Sequence, residues 1–284
     1  MRSCVAVWIV LFAAVGCASK TAAAQVPAVP PPAAPAQDKK PAADANVSAT
    51  PAPVAPAVSV DEVLDALDRQ GDQMKDFTAS VALTESDELT KESFTRAGTV
   101  KFQRLPDDDA RIRVTLDTRK TETKTVNEKI EYLLEKGWLT ERNYRKKDNV
   151  RRQVIKPGEK INLLKLGEGP FPLPIGQAKE DVKEMFEVEV IPAAPTDPAG
   201  TIHGRLKPKP RTQFERKFKQ IDVWVDPKAQ MPRRIETLDR NEQTRQTTDL
   251  ENVKANTGLG DADFTLDPVT AKDGWKLRDE PYEE

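Results

Sequence analysis

The chain has 284 residues, 44 basic against 46 acidic side chains, a formal charge of −2 and a single histidine. That balance supplies no strong field for nucleic acid or anionic lipid, and 32% charged with 38% hydrophobic residues is the composition of a well-solvated surface. Its two cysteines, Cys4 and Cys17, are too few for a disulfide framework or a zinc cluster.

Met1 and Arg2 precede an unbroken apolar run, Val5 to Val15, which ends in Ala14-Val15-Gly16-Cys17. A positive start, a short apolar stretch and small residues at the cut read as a secretory signal over residues 1–16. The run is too short to span a bilayer, which needs about 20 apolar residues. A cysteine directly after glycine at the cut resembles the lipobox of bacterial lipoproteins, and that resemblance implies acylation of Cys17. The family usually has Leu where this chain has Ala14. The alternative is an ordinary secreted protein cut after Ala24. Once the signal leaves with Cys4, no thiol remains for a redox couple or a nucleophile.

Residues 17–58 read as a tether. From Val26 to Val58 the chain is mostly Ala and Pro, with no aromatic, Leu or Ile. Such a segment cannot bury enough apolar surface to offset its ordering entropy. Fully extended polyproline, at about 3.1 Å per residue, gives it a reach of roughly 100 Å. The folded domain is expected over 59–270, followed by a polar tail at 271–284.

Ser59-Val60-Asp61-Glu62 fits a capping box that opens an amphipathic helix, with Val60, Leu64, Leu67, Gly71 and Met74 at helical spacing. The period then changes to two. Phe77, Ala79, Val81 and Leu83 alternate with polar neighbours, as do Val100 and Phe102, then Ala110, Ile112, Val114 and Leu116. Ile130, Tyr132 and Leu134 follow, with Gly137 as a turn before Trp138. Ile161, Leu163, Leu164 and Leu166 form an apolar cluster. Pro170 to Pro174 stops any helix, and Gln177 to Met185 suits a short one. Ile221, Val223 and Val225, then Ile235 and Thr237, are late strands between turns at Asp226-Pro227 and Asp239 to Glu242.

Serial strands with short turns predict a mainly β, α+β domain. It should be one curved antiparallel sheet with one apolar face, an unclosed barrel covered by a few helices. On that face, alternation nominates Phe77, Val100, Phe102, Ile112, Val114, Tyr132, Leu134 and Trp224 as the lining of a hydrophobic cavity. The alternative for each is ordinary core packing.

Catalytic patterns are missing. His203, the one histidine, lies in a Thr/Gly/Arg-rich stretch read as a loop, and a Ser-His-Asp site would need it. Glu85, Asp87 and Glu88 are read as a hydrophilic turn. Lys156 to Lys160 lacks the spacing of a phosphate loop, and Lys207, Lys209 and Arg211 have no aromatic partners. No enzymatic activity, cofactor or metal is expected.

The order of short motifs over Val60 to Pro268 resembles the LolA/LolB family of outer-membrane lipoprotein carriers and receptors. Asp76-Phe77-Thr78-Ala79 is similar to its opening strand, and Gly98 to Pro106 to its second. Arg111-Ile112-Arg113 resembles its arginine-bearing third strand, and Lys136-Gly137-Trp138-Leu139 a hairpin. Met185 to Val188, Leu206 to Lys209, Ile221 to Asp226 and Phe264 to Pro268 follow in the family's order. The resemblance implies an unclosed β-barrel, lidded by helices, around a cavity for acyl chains. It also implies a lid-locking arginine, Arg113 or Arg111, bonded to the backbone of the helix loops. The lipobox is nearer the receptor, whereas the tether and a Pro192 to Pro210 insertion are extra to both members. No counterpart of the receptor's protruding apolar loop is evident.

The partners implied are a lipid or an acylated lipoprotein, the membrane through the N-terminal acyl anchor, and an envelope protein; the chain is read as a monomer. It is expected to be exported and to face the periplasm from the outer membrane, with a soluble periplasmic or secreted form as the alternative. A lipid- or protein-sensing envelope scaffold is the alternative role. Cys17→Ser is expected to move the processed protein from the membrane to the soluble fraction. A processed variant that still partitions into membrane contradicts the acyl anchor.

Overall fold

The computed structural model describes residues 59–106, 109–156 and 178–282. The signal, Cys17 and the tether lie outside these residues, as do the Ile161 to Leu166 cluster and the Pro170 to Pro174 stop.

Helix α1, Val60–Gln73, opens as its sequence dictates. The Ser59 amide donates to Glu62 Oε2 at 3.0 Å and the Glu62 amide to Ser59 Oγ at 3.2 Å, the two arms of the capping box. Strands β1 Asp76–Asp87, β2 Ser93–Arg104, β3 Ala110–Thr121, β4 Thr125–Glu135, β5 Trp138–Asn143 and β6 Asp148–Gln153 follow as a meander. Helix α2, Lys179–Met185, runs straight into β7, Phe186–Ile191. Then come β8 Ile202–Pro208, β9 Phe218–Asp226, β10 Met231–Asp239, β11 Thr244–Ala255 and β12 Lys276–Glu280.

All the strands belong to one sheet in the order β12-β6-β5-β4-β3-β2-β1-β11-β10-β9-β8-β7, which does not close. The two meanders join where β11 pairs antiparallel with β1. The expected single unclosed antiparallel sheet is therefore the architecture, with one departure. The segment read as a polar tail contributes β12, which pairs parallel with β6. Within the stretch read as an insertion, Ile202–Pro208 is strand β8, and it carries His203.

Turn chemistry holds the hairpins. Lys136 and Gly137 both have positive φ, 51° and 76°, and join Glu135 to its register partner Trp138 as a two-residue loop. Asp87 Oδ1 accepts from the Leu89 and Thr90 amides, both at 2.8 Å, to close β1–β2. Leu89 sits at that tip, 73% exposed. Asp239 Oδ1 accepts from the Gln243 and Thr244 amides to close β10–β11.

The helices pack on one end of the sheet. Val63 and Leu64 of α1 and Val182 of α2 are buried in a cluster with Phe186, Leu206, Ile221, Val223 and Ile235. A Cβ at Gly204 would stand 3.1 Å from Val63, so glycine in β8 lets α1 approach this closely. Lys179 bonds Asp61 at 2.9 Å and Asp65 at 3.1 Å, and Lys183 reaches Asp61 at 2.9 Å. Hydrogen bonds from Lys179 and Lys183 draw the Asp61 carboxyl down to about 2.

Gly98 marks a second close approach. It faces Leu116 beside a register shift between β2 and β3, and a Cβ there would fall 1.8 Å from the Thr115 carbonyl oxygen. Only backbone movement relieves that overlap. Gly98→Ala is expected to cost about 2 kcal/mol or more in urea unfolding, and an unchanged midpoint contradicts the approach.

Candidate functional site

Register partners across a sheet share a face, so the pairings define the inner face as the one that carries α1 and α2. Phe77, Phe102, Ile112, Leu134 and Leu139 form one continuous row across β1 to β5. Ala79, Val100, Val114 and Tyr132 form the next, and Val81, Gly98, Leu116 and Ile130 the third. Phe77 and Phe102 stack with ring centroids 5.5 Å apart.

Seven of the eight side chains nominated from the sequence line this wall: Phe77, Val100, Phe102, Ile112, Val114, Tyr132 and Leu134. None is more than 7% exposed. Burial, and then the nearby Glu141 carboxylate, push the Tyr132 phenol upward, so it stays neutral. Leu116, Ile130 and Leu139 belong to the same wall, and the alternation that found the seven already marks Leu116 and Ile130.

Trp224 does not belong to it. Its neighbours Val223 and Val225 pack in the helix-covered cluster, so strand parity turns Trp224 to the outer face. There it stacks on His203 with centroids 4.1 Å apart. All five residues from Ile221 to Val225 are buried, which leaves exposure no help in telling the faces apart. His203 is likewise not a solvated loop residue. It lies in β8, 8% exposed, with Nε2 2.8 Å from Asp222 Oδ1, and Arg205 Nε donates to the same oxygen at 2.8 Å.

The two arginines nominated as lid locks hold a different segment. Ile112 and Val114 face in, so Arg111 and Arg113 face out, onto the chain between β11 and β12. Arg113 Nη1 donates to the carbonyls of Asp263 at 3.1 Å and Thr265 at 3.0 Å, and Nη2 to Glu131 Oε1 at 2.7 Å. Arg111 reaches Gln103, Glu135 and Asp261, with its guanidinium carbon 4.4 Å from the Phe264 ring centroid. Arg142 Nη1 donates to the Asp267 carbonyl at 2.6 Å, and Lys101 pairs with Asp263 at 2.7 Å. Arg113 bonds backbone and Arg111 side chains, and what they fasten is an outer strap containing the one-turn helix Asp261–Phe264 rather than the helices on the inner face.

Beneath the strap Glu131 is 1% exposed. Burial pushes its carboxyl up, but hydrogen bonds from Tyr144 and Arg113 outweigh burial and hold it below the usual range. Asp76 anchors the strap's start in the same way. Burial opposes its charge, and donors from Thr257 and Gly258 overcome that and lower it.

The inner face is not apolar throughout. Beyond the third row come Leu83, Arg96 and Arg119 as register partners, then Glu85 opposite Phe94. Glu85, taken from the sequence as part of a hydrophilic turn, is a half-buried strand residue whose carboxyl burial pushes upward. Among the described residues no group of three or more His, Cys, Asp or Glu side chains is placed to hold a metal ion.

Neither a protein-family model nor a curated protein sequence matches the chain. Solved structures do. It is similar to an uncharacterized conserved protein from Thermus thermophilus, at 12% identity and TM-score 0.41, over 77% of this chain and 98% of that one. It is also similar to a putative outer membrane lipoprotein-sorting protein domain from Vibrio parahaemolyticus, at 14% identity and TM-score 0.31, over 72% and 94%. A LolA superfamily protein from Nitrosomonas europaea aligns at 12% identity and TM-score 0.29, over 74% and 99%.

Arg113→Gln leaves Glu131 without its closest cation. The variant is expected to lose about 3 kcal/mol, the cost of breaking one side of a buried pair. Amides of the strap around Phe264 should exchange faster, and exchange at the wild-type rate contradicts the locking role.

Proposed function

We propose that this chain is a cell-envelope protein that takes a lipid, or the acyl chains of a lipoprotein, onto the inner wall of β1 to β5. The observation that carries this reading is the wall itself, three register rows of aliphatic and aromatic side chains on a sheet that does not close. The helix-packed cluster occupies the β7–β10 end, so the wall is a second apolar region on the same face. Each methylene moved from water onto such a surface is worth about 0.8 kcal/mol. The seven nominated side chains on this wall are at most 7% exposed, so a tail of about a dozen methylenes must displace what now shields them as well as meet the costs of association and ordering.

The action needs no reaction step and no cofactor. A hydrocarbon tail passes between sites of graded affinity, and shape and apolar area decide the direction. Export and a lipid on Cys17 would place this site beside the periplasmic face of the outer membrane, within reach of acylated cargo. The motif order shared with the carrier and receptor family supports lipoprotein sorting as the setting.

The test uses the full chain carrying Cys17→Ser, so that no covalent lipid interferes. A fluorescent fatty acyl probe is expected to bind saturably. Val114→Trp, which fills the wall, should abolish uptake, while Thr115→Trp on the outer face should leave it intact. Absence of probe uptake, together with no lipid extracted from the purified protein, contradicts the reading.

A further inference from the structure

Along the strand direction the inner face changes character. Its first row is Phe77, Phe102, Ile112 and Leu134, and its fourth holds Arg96 and Arg119 directly opposite one another. Two like charges in a cross-strand pair are destabilising on their own. Both guanidiniums lie against one ring, with carbons 4.9 Å and 4.6 Å from the Phe94 centroid. An acid flanks the pair on each side. Glu85 stands on β1 opposite Phe94, and Glu128 on β4, 9% exposed, falls at the register break between β3 and β4. The register partner of Arg96 on β1 is Leu83, so Glu85 stands diagonally to it, and from β1 to β4 the nearest charges run negative, positive, positive, negative.

Hydrogen-bonding capacity is left over in this rung. Arg119 Nε is a buried donor without a hydrogen-bond partner, and Glu85 Oε2 and Glu128 Oε2 are buried acceptors without one. The other oxygen of Glu128 is 3.9 Å from Arg145, beyond hydrogen-bond range. The next charged pair on this face behaves differently, since Arg152 is bonded to both Glu141 and Glu280. Burial also lowers the Arg96 guanidinium and raises the Glu85 carboxyl, so desolvation opposes the charge on each.

We infer that this rung seats the headgroup of an amphiphile whose tail lies on the apolar wall, and that it fits a zwitterionic headgroup, a phosphate bearing an amine. The inference rests on the acyl-binding reading and adds the ligand's class and orientation. A phosphate between Arg96 and Arg119 accepts charge-assisted hydrogen bonds from two guanidiniums and relieves their repulsion. An ammonium two carbons away donates to a flanking carboxylate. A purely anionic headgroup satisfies the arginines and leaves the acids unmatched, and a headgroup-free diacylglycerol satisfies neither. Because the rows run from apolar to charged within β1 to β4, the lipid lies parallel to the strands with its head at the Glu85 end.

Calorimetric titration of the full chain carrying Cys17→Ser tests this with three soluble short-chain lipids of equal tail length: a dihexanoyl phosphatidylethanolamine, the phosphatidylglycerol and the dihexanoylglycerol. The ethanolamine lipid is expected to bind at least about 10-fold more tightly than the dihexanoylglycerol, the worth of one good charge-assisted hydrogen bond. Arg119→Gln should abolish that margin, and Glu128→Gln should bring the glycerol headgroup level with the ethanolamine one. An uncharged fatty acyl ester probe, which carries no ionic group for the rung, reports on the wall separately from the headgroup seat. Equal affinity of the wild-type chain for all three lipids, with the acyl probe still bound, overturns the headgroup seat and leaves the wall standing. Absence of acyl-probe binding by the full chain carrying Cys17→Ser alone overturns both.

Discussion

Strand register is the constraint on which everything else in this molecule depends. Side chains alternate with period two, so one pairing decides which set of residues is sealed away and which meets solvent. Phe102 opposite Phe77 and Ile112 opposite Phe102 put the aromatic and aliphatic set inside. The same pairing puts Arg111 and Arg113 outside, where a backbone strap and Glu131 receive them. A slip of one residue in β3 would bury two guanidiniums against the phenyl rings and expose Ile112 and Val114. The Gly98 approach and the neighbouring register shift hold β3 in its place.

The two faces are stabilised by different physics. Outside, strapping by arginines supplies geometry: donors meet carbonyl oxygens, and a carboxylate below them is fully matched. Inside, area dominates, and the α1/α2 cluster and the β1–β5 wall are separate apolar regions on one continuous sheet. The charged rung is the exception on the inner face. It keeps a buried donor on Arg119 and buried acceptors on Glu85 and Glu128 without hydrogen-bond partners, as the outer network does Arg113 Nε, and what sets the rung apart is that donor and acceptors lie together.

Much of this was legible in the sequence. The capping box at Ser59 and Glu62, the Gly137 turn and the alternation through β1 to β4 depend on near neighbours, and each is found where local chemistry puts it. Seven of the eight residues nominated from that alternation lie on the inner face. The failures share a cause, which is dependence on distant partners. Trp224 sits in a strand buried on both sides, so hydrophobicity alone could not assign its face. His203 reads as a loop residue until β9 is beside it, and Glu85 reads as part of a turn until β2 extends the hairpin past it. The strap and β12 are polar in composition, and their order comes from arginines and backbone roughly 130 to 150 positions earlier in the chain. No local pattern announces such contacts.

The central claim is that a hydrocarbon chain lies against the inner wall. Photocrosslinking with a diazirine-bearing fatty acid, followed by peptide mapping, tests it most directly. Adducts are predicted at the inner positions Val100, Val114 and Tyr132, with their outward neighbours Thr99 and Thr115 unlabelled. Label spread evenly over both faces, or confined to the exposed tip at Leu89, would contradict the account.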